Sequence, residues 1–198
     1  MQLITISNLK MFLDGKSDTQ HDRMLELIIN GVSDIVQTHL NRYLLKAEYT
    51  HYFEADNLRK AFYLPAYPVD LINELFTVTI DDDEQTIDDD YYVREEEGLI
   101  VFYLPPIYTH PKNIKVVWTG GYETIDDSSD DDGSLAVSDT IKLAVCLQCS
   151  YVYRRRNDIG VSTLVLPDGS IKKSSKAYRL LPEVVSMLEN HRRVPGAR

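Results

Sequence analysis

The sequence predicts an α+β protein. It expects a helical core (an N-terminal helix pair, a central buried helix and a C-terminal helix) with a small antiparallel β-subdomain inserted into it. Apolar residues recur at helical spacing before residue 41 and again after residue 138. Between these stretches, residues 44–121 change to short alternating runs rich in aromatic and β-branched side chains, with no linker on either side. With 198 residues, 43% of them hydrophobic, the chain has enough apolar surface for a real core.

Taken in order, Ser7 is placed to cap a short helix reaching Asp14, with Leu9, Phe12 and Leu13 on its apolar side and Gly15 ending it. Asp18 or Thr19 is expected to cap a second helix running to about Leu40. Its apolar face would be Met24, Leu25, Ile28, Ile29, Val32, Ile35, Val36 and Leu40. Gly31 in its middle costs roughly 1 kcal/mol against alanine, which suggests close packing on another helix.

Strands are predicted at 47–53, 61–64, 75–80, 91–93, 99–103 and 114–119. Breaks fall at Pro65, Pro68, Asp81 to Asp83, Gly98, Pro105-Pro106 and Gly120-Gly121. Asp126 to Gly133 reads as an acidic loop. Ser138 then caps a helix over roughly 139–157, with Asp139 favourably near its N-terminal dipole. That helix is apolar on nearly every side at first, and so is expected to be central and buried. A hairpin is predicted over Val161 to Ile171, turning at Pro167-Asp168-Gly169. Lys172 to Lys176 reads as a basic linker, and Pro182 opens a last helix with Val184, Val185 and Leu188 on one face.

Net charge is −10 and unevenly spread. Residues 1–140 hold 10 Lys/Arg and 27 Asp/Glu, net −17, while residues 141–198 hold 11 and 4, net +7. An acidic body with a basic C-terminal third suits head-to-tail self-association or an acidic partner. The start of the chain lacks the basic and apolar regions of a signal peptide, and no apolar run is long enough for a membrane span. The expectation is a soluble protein made in a reducing cytoplasm, with two cysteines that make no disulfide framework.

Six segments in order resemble the head–tail connector family of tailed bacteriophages, also called head-completion or adaptor proteins. The first is the opening Ile4 to Leu13, before an acidic break. The next are the helix end Leu40-Asn41-Arg42-Tyr43-Leu44, then Leu64-Pro65-Ala66-Tyr67-Pro68-Val69, then Val116-Val117-Trp118-Thr119-Gly120-Gly121-Tyr122. The helix from Thr140-Ile141-Lys142-Leu143-Ala144 to Tyr153-Arg154-Arg155-Arg156 and the closing Leu181-Pro182-Glu183-Val184-Val185-Ser186-Met187-Leu188 complete the set. The resemblance covers nearly the whole chain. There is no proline before the buried helix, at Val137-Ser138, and the loops 81–90 and 124–134 are long and acidic.

The resemblance implies a single adaptor domain over 1–198, with 44–121 as a β-rich insertion and 172–198 as basic linker, helix and tail. It implies a ring of twelve identical subunits in the virion neck. The ring would sit beneath the portal protein, continue the channel for double-stranded DNA without reading its sequence, and offer a face to the next neck or tail protein. No catalysis, cofactor or membrane is implied. Arg179, Leu181, Val184, Val185, Leu188, Arg192, Arg193 and Arg198 are the expected portal contact, and Arg154, Arg155 and Arg156 the expected intersubunit patch.

Other chemistry is weaker. Cys146-Leu147-Gln148-Cys149 has no second pair for zinc and lies inside an apolar helix, so packing is its expected role. Ser128 to Gly133 with Asp139 only partly fits a calcium loop, because Ser128 is a poor first ligand and no helix precedes it. The carboxylates at 81–84 and 88–90 read as a solvated loop. No G-x-S-x-G, P-loop, G-x-G-x-x-G or H-E-x-x-H pattern occurs. Two alternatives stand beside the adaptor: a small acidic enzyme whose carboxylates meet in the fold, and a DNA-binding module using the basic C-terminal third.

Overall fold

Among the described residues, four α-helices and nine strands build a mixed α+β chain. The structure, a computed structural model, describes residues 2–13, 19–71, 75–123, 136–156, 163–165, 171–173 and 180–193. The chain divides into two compact units: Met1–Asn41 with Ser138–Arg198, and Arg42–Val137.

The first unit is mainly helical. Helix α1 spans Ile6–Phe12; its cap is Thr5 rather than Ser7, with the Asn8 N–H donating to the Thr5 hydroxyl at 3.2 Å. Helix α2 spans Asp22–Leu40, preceded by His21 with no side-chain cap; Asp18 lies outside the described residues. It buries Leu25, Ile29, Val32, Val36 and Leu40, each contributing about 1.5–3 kcal/mol relative to exposure. Ile35, expected on that face, is half exposed. Gly31 lies on the open side, and a Cβ there would meet nothing within 4 Å, so it marks no close packing inside the subunit.

Helix α3, Asp139–Arg154, starts after Ser138, whose side chain makes no capping bond. It packs against α1, α2 and α4, the last spanning Pro182–Leu188, and buries Ile141, Ala144, Val145, Cys146 and Cys149. Its Leu143 is exposed, so the helix is not covered all round. The predicted hairpin is present as β8, Thr163–Val165, paired antiparallel with β9, Ile171–Lys173. Its turn lies outside the described residues. Lys172 and Lys173 are thus strand residues rather than linker.

The second unit packs two antiparallel sheets around one core. The strands are β1 (Ala47–Phe53), β2 (Ala61–Tyr63), β3 (Phe76–Ile80), β4 (Asp83–Gln85), β5 (Tyr91–Arg94), β6 (Leu99–Phe102) and β7 (Ile114–Gly120). One sheet runs β1-β7-β3-β4, the other β2-β6-β5. On β7, Ile114, Val116 and Trp118 point inward at every second position, with Val78 from β3 beside them. Phe62, Tyr91, Ile100 and Phe102 of the other sheet join the same core. Strand β4 lies where the sequence indicated only an acidic break; main-chain pairing with Val78 to Ile80 holds it despite three carboxylates at 82–84.

Candidate assembly interface

Three of the resembling segments meet in the β unit. Asn41 ends α2 in the left-handed region, φ 54°, where a helix commonly reverses, and Arg42 follows it. The Arg42 guanidinium carbon lies 3.4 Å from the Tyr67 ring centroid and 5.4 Å from that of Tyr122, and an Nη donates to the Tyr67 carbonyl. The Tyr43 N–H donates to Pro65 at 2.8 Å, and the Trp118 indole N–H to Ala66 at 3.0 Å. The Gly121 N–H donates to the Pro68 carbonyl at 2.8 Å, the Lys46 N–H to the Tyr122 carbonyl at 2.9 Å and the Tyr122 N–H to the Leu44 carbonyl at 2.6 Å. Lys46 Nζ donates to Asp70 at 3.3 Å and to Glu123 at 3.1 Å, and these bonds, that to Glu123 foremost, raise its pKa against the opposing effect of burial.

This arrangement is a structural knot. Its polar groups face one another apart from the Arg42 Nε, which is buried without a hydrogen-bond partner, and Trp118 and Ala66 are fully buried. No sequence signal tied Arg42 to its tyrosines, although an arginine straight after a left-handed asparagine was a position where one could look.

The expected portal contact is only partly exposed. Val184 and Leu188 have no exposed area, and the Leu181 N–H donates to Gln148 Oε1 on α3 at 2.9 Å. The Arg193 N–H donates to the Leu40 carbonyl at 2.9 Å, tying the segment to α2 as well. The apolar stripe expected to meet a partner therefore packs within the helical unit. Val185 and Arg193 are partly covered, and Arg192 is exposed with Glu189 at 4.0 Å. Arg179 and Arg198 lie outside the described residues.

Of the expected intersubunit arginines, Arg154 points to solvent. Arg155 donates to the Tyr151 hydroxyl at 2.6 Å, and Arg156 to the Tyr153 carbonyl at 2.9 Å while lying 4.1 Å from that ring centroid. The triplet is one free-standing charge beside two braced by tyrosines.

Both cysteines are buried and reduced. Burial pushes both thiols up, Cys149 to about 12 with Cys146 adding to the effect. This is the reverse of a reactive pair, whose thiolates are favoured. Among the described residues no three His, Cys, Asp or Glu side chains are grouped to hold a metal ion, and no helix is long and apolar enough to cross a membrane. The loop Asp126 to Gly133 lies outside the described residues; Asp139 sits at the start of α3 with Lys142 at 3.6 Å.

The fold is similar to that of a chain in the neck of an empty gene transfer agent (GTA) particle with C6 symmetry. The TM-score is 0.61 at 15% identity, covering 100% of this chain and 98% of that one. A chain in the neck of the native GTA particle with C12 symmetry scores 0.61 at 14% identity with the same coverage. One in the virion of the native particle scores 0.57 at 14%, covering 99% and 96%. No curated protein matches the chain in sequence. Residues 2–194 match the family described as HCP, head completion protein. That match takes in both compact units and each of the segments noted above, and the chain belongs to the head completion protein family.

Proposed function

We propose that the protein is a structural head–tail connector of a tailed bacteriophage or similar particle, located in the virion neck and not an enzyme. Identical copies, twelve in the favoured arrangement, form a ring beneath the portal. The ring extends the DNA channel and carries the attachment surface for the next neck or tail protein. The observation that carries this reading is the family match over residues 2–194, supported by a fold that spans 98% of a neck chain from a GTA particle. In this reading 1–198 work as one adaptor, with 44–121 as the inserted β part. DNA passes without sequence-specific contact, since the chain carries net −10.

The C-terminal segment is proposed to meet the portal through its polar side, with Arg192 on the exposed edge and Arg179, Arg193 and Arg198 adding charge. Val184 and Leu188 hold the helix in place from behind. Arg154 to Arg156 are proposed to lie between subunits, with Arg154 making the direct contact.

The test is to mix purified protein with portal-bearing heads that lack it and to image them. A symmetric collar of this chain beneath the portal is expected. Heads that remain bare at saturating protein overturn the proposal.

A further inference from the structure

We infer that one end of the β unit is the surface that receives a second copy of this chain; the inference rests on the ring reading above. Phe53 of β1 and Ile80 of β3 both pair with Ile114 at the start of β7, so the loops 54–60, 81–82 and 107–113 converge. The Phe102 N–H bonds Lys60 at 2.8 Å and the Tyr103 N–H bonds Asp90 at 3.0 Å, which brings 88–90 and 103–104 to the same end. There Leu58, Leu104 and Ile107 are 86, 79 and 71% exposed, with Tyr103 and Tyr108 half exposed beside them. So many large apolar side chains at one place are the mark of a contact surface.

The loops that present them are firmly held. Asn113, itself buried, accepts from the Ala55 N–H at 3.1 Å and donates to the Ile107 carbonyl at 2.9 Å. Asn57 accepts from the Tyr108 N–H, and Lys60 Nζ donates to the Tyr103 carbonyl at 2.7 Å. Asn57, Asp81, Asp82, Asp88 and Lys112 all have positive φ, five of the six non-glycine cases among the described residues. Such conformations persist where surrounding bonds over-determine them. The apolar side chains are therefore displayed on a set frame, which reduces the ordering cost of binding.

Charge selects the occupant. The loops 54–60, 81–82, 88–90 and 103–113 hold seven Asp/Glu and three Lys/Arg, net −4. Two such ends would repel, which disfavours a symmetric pair. Residues 141–177, which exclude the segment proposed to face the portal, hold seven Lys/Arg and two Asp/Glu, net +5. The complementary surface is thus this basic stretch of the neighbouring copy, and a contact between unlike surfaces is the kind from which rings are built.

The test places a photo-crosslinking residue at Leu104 (Leu104→p-benzoylphenylalanine) in assembled particles and maps the product by mass spectrometry. A copy-to-copy crosslink into residues 141–177 is expected. A crosslink to another protein, to a different part of this chain, or none at all overturns the inference. In parallel, the double variant Leu104→Ser with Ile107→Ser should need at least tenfold more protein to form the collar, with Trp118 fluorescence unchanged. Wild-type collar formation by that variant also overturns the placement while leaving the connector reading intact. Failure of the unaltered protein to form a collar removes both.

Discussion

Replacing Gly121 by alanine puts a methyl group where the incoming backbone already lies. Gly121 has φ +108°, and a Cβ there would stand 2.5 Å from the Leu45 carbonyl oxygen and 2.6 Å from its carbon. The backbone conformation costs a side-chain-bearing residue about 1–3 kcal/mol. The overlap adds about 1–3 kcal/mol more, as overpacking does. Neither neighbour yields easily, because the Lys46 N–H holds the Tyr122 carbonyl at 2.9 Å and the Tyr122 N–H holds the Leu44 carbonyl at 2.6 Å. A loss of about 4 kcal/mol is a large part of an ordinary domain's stability. With a urea slope of about 2 kcal/mol per molar, the midpoint should fall by about 2 M. Trp118 is the chain's single tryptophan, fully buried in the same unit, so its fluorescence reports this unit's unfolding. A Gly121→Ala midpoint within about 0.3 M of wild type would show that the knot is not the constraint described.

Gly31→Ala should act in the opposite direction and stabilise the helical unit by about 0.5–1 kcal/mol, read by circular dichroism at 222 nm, since the site is open and helical. Leu188→Ala should destabilise that unit by about 2–5 kcal/mol, whereas Arg192→Glu should stay within about 0.5 kcal/mol of wild type; equal thermal midpoints for the two would contradict the burial of α4. The native thiols should resist a thiol reagent at pH 8 and react on unfolding. Cys149 and Tyr91 are both raised to about 12, from 9.0 and 10.0, by burial first, with neighbouring carboxylates adding to the effect on Tyr91. The unfolded chain then ionises first as pH rises, so their contribution is complete below about pH 9 and is lost towards pH 12. A stability that held level over that window would refute the assignment.

Most elements were readable because their burial is one-sided. The inward side chains of α2 repeat at three and four residues, and those of β7 at two, so period alone placed both. What was not readable depends on contacts distant in sequence. Trp118 bonds a carbonyl 52 residues away, and Arg42 stacks on a ring 25 residues on, separations that carry no periodic trace. Strand β4 was hidden because aspartate is rare in strands, and only its partner β3 stabilises it. Gly31 suggested a packed neighbour because its cost was visible while the space around it was not. The C-terminal stripe showed the same ambiguity. Val184 and Leu188 spell an apolar face, and spacing does not say whether the subunit or a partner covers it.

The ends of the β unit lie side by side: Leu45 bridges Tyr122, and Glu123 bridges Ala136. A free loop as long as Arg42–Val137 would carry a closure entropy of about 4 kcal/mol, growing with the logarithm of its length. Pinning its two ends together removes most of that term from the helices on either side. To those helices the whole β unit acts as a tie a few residues long. The loops between its strands can then change length or sign of charge without altering that term.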